Sequence, residues 1–165
     1  MKNKATISFE VFPPKNKEGD ISSIYRTIDE LAKLNPDFIS VTYGAGGSTK
    51  GKTVEIASKI KNDYHIESVA HLTCISSTKE EVLAMCQQLK DNNIENILSL
   101  RGDYPRDDSF DKEKLEFHYA KDLNTLITNE FPHDFCLSGA CYPEVHTDAA
   151  CFEDDLKALK EKVEA

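Results

Sequence analysis

The feature that most limits what this chain can fold into is a fivefold alternation of short β-rich runs with helical patterns. The β-rich runs lie at Ile7–Phe12, Phe38–Thr42, Ser68–His71, Asn96–Leu100 and Asp134–Ala140. Between them, Ile21, Ile24, Tyr25, Ile28, Leu31 and Leu34 recur at the spacing of one helix face, the signature of an amphipathic helix. Val54, Ile56, Ala57 and Ile60 predict a second helix, and Val82, Leu83, Cys86 and Leu89 a third. Thr78 and Glu81 have the spacing of a capping box at the start of that third helix. Leu115–Ile127 and Leu156–Val163 supply a fourth and a fifth. The acidic stretch from Asp103 to Glu116 reads as a loop.

The order βαβαβαβαβα implies a parallel sheet, because parallel neighbours need crossover connections and helices provide them. Two α/β architectures satisfy it: an open doubly wound sheet, or part of a (β/α)8 barrel of the TIM type. A complete barrel takes about 250 residues, and this chain has 165, so five units would form an incomplete barrel. The length fits a single domain spanning 1–165.

Charge narrows the functional classes. The formal net charge is −9, which repels phosphate backbones and argues against nucleic-acid binding. No apolar run approaches the roughly 20 residues that cross a bilayer, and the amino terminus lacks the apolar core and cleavage site of a signal peptide. The expectation is a cytoplasmic protein without a membrane partner. The cysteines are five, Cys74, Cys86, Cys136, Cys141 and Cys151. An odd number with no C-x-x-C pair argues against a disulfide framework. Cys136, Cys141, His146 and Cys151 are evenly spaced, but more widely than zinc ligands usually are, so no metal is expected.

Polar residues recur at the carboxyl end of each β-rich run. They are Glu10 before Pro13-Pro14; Thr42 and Tyr43 before Gly44-Ala45-Gly46-Gly47-Ser48; His71 and Thr73; Arg101-Gly102-Asp103; and Tyr142, Glu144 and His146. Ligands of parallel α/β folds bind at the carboxyl ends of strands, so five clusters converging there form a candidate site. Singly, each has a plainer reading. Glu10 can be a satisfied edge-strand residue, the glycines a turn, Arg101 and Asp103 a surface pair, and His71 and His146 structural. An unpaired carboxylate in an apolar strand is costly to bury, which makes a functional acid about as well founded for Glu10 as the edge-strand reading.

The strings themselves resemble those of a known family. Ser8-Phe9-Glu10-Val11-Phe12-Pro13-Pro14-Lys15, Val41-Thr42-Tyr43-Gly44-Ala45-Gly46-Gly47-Ser48, His71-Leu72-Thr73-Cys74, Leu100-Arg101-Gly102-Asp103 and Ala140-Cys141-Tyr142-Pro143-Glu144-Val145-His146 are similar, in order and spacing, to the signatures of methylenetetrahydrofolate reductases. The resemblance covers nearly the whole chain. It implies an FAD-containing (β/α)8 barrel that takes electrons from NADH or NADPH and reduces 5,10-methylenetetrahydrofolate to 5-methyltetrahydrofolate. It gives Glu10 the role of proton donor and places Asp103 beside flavin and pterin. It implies that Thr42, Tyr43, Ala45, His71, Arg101, Gly102, Asp103, Tyr119, Ala120, Tyr142, His146, Ala149, Asp155 and Lys162 line the FAD, with Arg101 and Lys162 toward the diphosphate.

Two departures stand out. Glu161 stands where some relatives carry a basic residue. The family also continues for three further βα units, which carry a glutamine and a phenylalanine that contact folate and nicotinamide. Alternative expectations are therefore a flavin-holding half-barrel without turnover, or an assembly in which a second copy or a partner chain covers the open barrel edge.

Overall fold

A computed structural model describes residues 5–14, 21–43, 50–104, 111 and 114–165. Among these residues ten elements alternate in chain order: β1 (Ser8–Val11), α1 (Ser22–Ala32), β2 (Phe38–Val41), α2 (Lys50–Asn62), β3 (Glu67–Thr73), α3 (Lys79–Asp91), β4 (Asn96–Leu100), α4 (Ala120–Glu130), β5 (Cys136–Gly139) and α5 (Phe152–Glu164). The five strands form one parallel sheet in the order β1-β2-β3-β4-β5.

That order separates the two architectures. Crossovers between parallel strands are right-handed. When every crossover steps to the next strand in the same direction, all the helices fall on one face of the sheet. A doubly wound sheet must reverse its strand order to cover both faces. Here α2 lies on β2 and β3 and packs against α3, α3 against α4, and α4 against α5. The chain is five units of a TIM-type barrel wall, wound one way.

Strand residues alternate between the two faces. On the helix side, Val11, Ile39, Val41, Ala70, Leu72 and Ile97 are buried against Ile28, Ile56, Ile60, Val82, Leu89, Leu123 and Ile127. Each fully buried side chain of this size contributes about 1.5–3 kcal/mol relative to exposure, so this layer is the main apolar contribution to the fold. The opposite face presents Ser8, Glu10, Phe38, Ser40, Val69, His71, Leu98 and Ser138 around a cavity of about 420 Å³.

The return from each helix to the next strand repeats one device. Asn35 (φ 52°), His65 (φ 56°), Asn93 (φ 61°) and His133 (φ 72°) hold the left-handed conformation after α1, α2, α3 and α4. Asn and His tolerate this region better than most side chains, and the conformation ends a helix abruptly. The chain therefore turns at the same place in each of these units.

The expected boundaries shift in three places. Leu34 falls beyond the end of α1 and is exposed, because Asn35 has already begun the turn. The fourth helix starts at Ala120, not Leu115. The Asp122 carboxylate accepts the backbone N–H groups of His118 and Tyr119, both at 2.9 Å, and caps the helix there. Phe117, 2% exposed, anchors the preceding segment in the core. The fifth helix starts four residues early, at Phe152. Its first turn holds Glu153, Asp154 and Asp155, which carry no apolar pattern but suit the positive end of a helix dipole. The Thr78–Glu81 capping box forms as expected, with both reciprocal bonds at 3.2 Å.

Candidate functional site

The carboxyl ends of the strands bring the polar residues into two groups. The first straddles β1, β2 and β3. Register pairs Glu10 with Ser40, and Ser40 with Val69. His71, two residues further along β3, reaches back over Ser40 toward Glu10. The Ser40 hydroxyl donates to Glu10 Oε2 at 3.2 Å, and His71 Nε2 stands 3.2 Å from the same oxygen. Among the described residues, Nε2 has no partner other than this Glu10 oxygen. His71 is only 8% exposed. Burial pulls its imidazole below the usual range, and the nearby Glu10 charge offsets part of that drop. His71 is therefore neutral at pH 7. Glu10 itself is exposed on the open face.

The second group joins the β4 and β5 loops. Gly102 adopts φ +86°, and a Cβ there would stand 3.1 Å from Thr73 Cβ and 3.2 Å from Ile75 Cγ2. Only glycine meets both demands without strain. The Arg101 carbonyl is held by the backbone N–H of Ile75 at 2.9 Å and that of Cys74 at 3.3 Å. The buried Cys74 thiol lies 3.9 Å from the carbonyls of Arg101 and Tyr119, and burial pushes it up to about 12. This clamp presents Arg101 and the exposed Asp103 at the mouth of the sheet.

Arg101 does not pair with Asp103. Its two terminal nitrogens both donate to Asp148 Oδ2 at 3.2 Å, while Nε donates to the Gly102 carbonyl at 3.2 Å. The Tyr104 ring lies 4.8 Å from the guanidinium carbon. The Asp148 N–H donates to His146 Nδ1 at 3.0 Å. The His146 N–H in turn donates to Asp155 at 3.0 Å, and its ring meets Tyr142 edge to face at 4.8 Å. Ala149 closes the turn through a 2.9 Å bond from its N–H to the His146 carbonyl.

The Thr42 carbonyl accepts the Thr53 hydroxyl at 3.1 Å. Tyr43 is half-buried, and burial raises its phenol well above the ordinary value. Ala45, with the rest of the 44–49 glycine-rich segment, lies outside the described residues. Tyr119 is exposed, just before Ala120 opens α4. Lys162 does not converge with Arg101 on a shared partner; its ammonium donates to the Ala140 carbonyl. Glu161, the departure noted above, pairs with Lys121 at 2.6 Å. Among the described residues no cluster of three or more His, Cys, Asp or Glu could hold a metal ion. None of their helices is long and apolar enough to cross a membrane.

Sequence reading missed Ser40 and Asp148. Ser40 was signalled only by alternation, since it shares the inward phase of β2 with Phe38. Asp148 sits two residues past the last quoted motif, and nothing local marks it as the partner of Arg101.

Comparison with known proteins decides the family. The profile described as methylenetetrahydrofolate reductase matches residues 1–165. The chain belongs to the methylenetetrahydrofolate reductase family. It is 39% identical over 165 residues to the 5,10-methylenetetrahydrofolate reductase of Escherichia coli (strain K12), covering all of this chain and 53% of the relative. It is 36% identical over 172 residues to methylenetetrahydrofolate reductase (NADH) 1 of Arabidopsis thaliana, covering 98% of this chain and 29% of the relative. With methylenetetrahydrofolate reductase 1 of Schizosaccharomyces pombe the identity is 34% over 164 residues, 99% of this chain and 27% of the relative. The chain thus spans about half the length of the bacterial family members it matches, and less than a third of the plant and yeast ones.

Proposed function

We propose that this chain provides the FAD site and the proton donor of an enzyme that reduces 5,10-methylenetetrahydrofolate to 5-methyltetrahydrofolate with NADH or NADPH. The observation that carries the reading is Glu10. It is a carboxyl group on the open face at the strand ends, with Ser40 and a neutral His71 gathered on its Oε2.

The donor chemistry of the second group fits a dinucleotide flavin. Arg101 offers a guanidinium for diphosphate oxygens, a strong charge-assisted contact, and Lys162 brings an ammonium to the end of β5. Gly102, packed on Thr73 and Ile75 at a φ of +86°, holds the Arg101–Asp103 turn in place beside that site. The buried His71 Nε2, 3.2 Å from Glu10, faces the cavity on the open side of the sheet. Thr42, Tyr43, Ala45, Tyr119, Ala120, Tyr142, His146, Ala149 and Asp155 complete the lining in this reading. FAD, when bound, supplies hydride transfer from the nicotinamide to the folate.

The residues' own work is acid chemistry and placement. The methylene bridge of the folate must open to an iminium cation before it can take hydride, and the departing nitrogen then needs a proton. Glu10 delivers that proton as general acid. The neutral His71 adds no positive charge beside the acid. Asp103, exposed next to Gly102, accepts hydrogen bonds from the pterin and places negative charge near the flavin, which tunes its electron affinity.

The test is a visible spectrum of the purified chain before and after adding FAD, then NADH without oxygen. Bound flavin that bleaches supports the site and the hydride path. A colourless protein that takes up no FAD overturns the reading for this chain. A second reading, in which further polypeptide covers the barrel edge, is favoured by α5. Its Phe152, Leu156 and Val163 are 52%, 53% and 77% exposed on a helix with no buried residue. Size in solution, as a second copy or a partner chain, tests it.

A further inference from the structure

We propose that Asp148 is an internal counter-ion that stands in the anion position at Arg101 and sets how strongly the site takes an anionic ligand. The inference rests on reading Arg101 as the diphosphate contact, and it adds a residue to that site which no motif includes.

The geometry is unequal in a telling way. Arg101 is fixed on three sides: Nε is committed to the Gly102 carbonyl, the Tyr104 ring lies against the guanidinium, and its own carbonyl is clamped by Cys74 and Ile75. Its side chain is 21% exposed, whereas that of Asp148 is 59% exposed. Both terminal nitrogens of Arg101 converge on a single oxygen, Oδ2, at 3.2 Å. That is a weaker arrangement than the two parallel bonds a guanidinium makes with two oxygens of a carboxylate or phosphate. The backbone of Asp148 is tethered separately, through its N–H to His146 Nδ1. The carboxylate can therefore swing into solvent without dismantling the loop, and Arg101 stays aimed where it was.

An exposed ion pair of this kind contributes little, so it is a replaceable partner. A diphosphate offers several oxygens and more charge, and displaces Asp148 to form paired bonds. A neutral ring system has nothing to exchange for the carboxylate. Asp148 thus weakens the hold on phosphate-bearing ligands, leaves that on neutral ones unchanged, and keeps Arg101 paired when no anion is bound.

The experiment titrates inorganic pyrophosphate into the whole chain and follows the Arg101 Nε–H by NMR. Asp148→Asn keeps the backbone contact and removes the charge; Asp148→Ser is a second such variant. Either should tighten pyrophosphate by about two- to fivefold, the range of an exposed pair, and Arg101→Gln, followed through the Gly102 backbone N–H instead, should lose the response. Equal pyrophosphate affinity in the wild type and both variants, or no response at Arg101 in any of them, overturns the proposal. FAD and riboflavin are then compared by flavin fluorescence. A gain for FAD but not riboflavin in Asp148→Asn extends the counter-ion role to the cofactor. A pyrophosphate gain with no FAD uptake supports the counter-ion and overturns the cofactor reading instead.

Discussion

Glu10 on β1 and His71 on β3 meet at 3.2 Å across an intervening strand. Ser40 of that strand donates to the same carboxylate oxygen from below. The sheet thereby joins side chains 61 positions apart through a neighbour that neither sequence motif contains.

The pair has a measurable consequence. Burial lowers the imidazole of His71, and the Glu10 charge opposes that shift. Glu10→Gln removes the opposition, so His71 should titrate at still lower pH, as read from imidazole 15N shifts. Because its folded value lies below its unfolded one, His71 stabilises the fold fully above the ordinary histidine range. That contribution is lost as pH falls through about 6.5 toward the folded value. Denaturant titrations of wild type and His71→Asn should diverge in that window, with the variant showing the flatter dependence. Parallel curves would count against a buried neutral imidazole.

Gly102→Ala meets two obstacles together, a φ of +86° and side-chain atoms at 3.1 and 3.2 Å from the new Cβ. The conformational strain alone costs about 1–3 kcal/mol. Urea unfolding should register a loss in that range, with Arg101 and Asp103 displaced in the NMR spectrum.

The thiols divide by burial. Cys74 and Cys86 are buried, and burial pushes both up to about 12, which leaves almost no thiolate at neutral pH. Cys136, Cys141 and Cys151 are exposed. A chromogenic disulfide reagent should find three fast thiols in the native protein, and the other two only on unfolding. A fast fourth thiol at Cys74 would mean that the β3–β4 clamp opens readily.

His133 is exposed and left-handed at φ 72°. His133→Val should cost about 1–2 kcal/mol, the penalty of a branched side chain in that region. His133→Gly should be close to neutral, since relief of strain and added chain entropy oppose each other. Thermal melts of the two variants check the order.

Much of this was legible in the chain. The alternation of apolar periods marked every strand and helix, because local burial writes period 2 or 3.6 into sequence. The polar residues at the strand ends marked the candidate site for the same reason, since each breaks its local apolar pattern. Helix starts were less legible where the signal was not apolar: Asp122 caps α4 through its carboxylate, and an acidic first turn opens α5.

The sequence by itself determined the element types, their order, the apolar layer and the polar strand ends, all properties of residues close together in the chain. Only the tertiary structure decided that the strands run consecutively β1 to β5, so that one face carries the helices and the other stays open. It also decided that Glu10 meets Ser40 and His71, and that Arg101 takes Asp148 rather than its near neighbour Asp103. These pairings join residues 30 to 61 positions apart. They depend on how strands register and loops close in space, which no local period records.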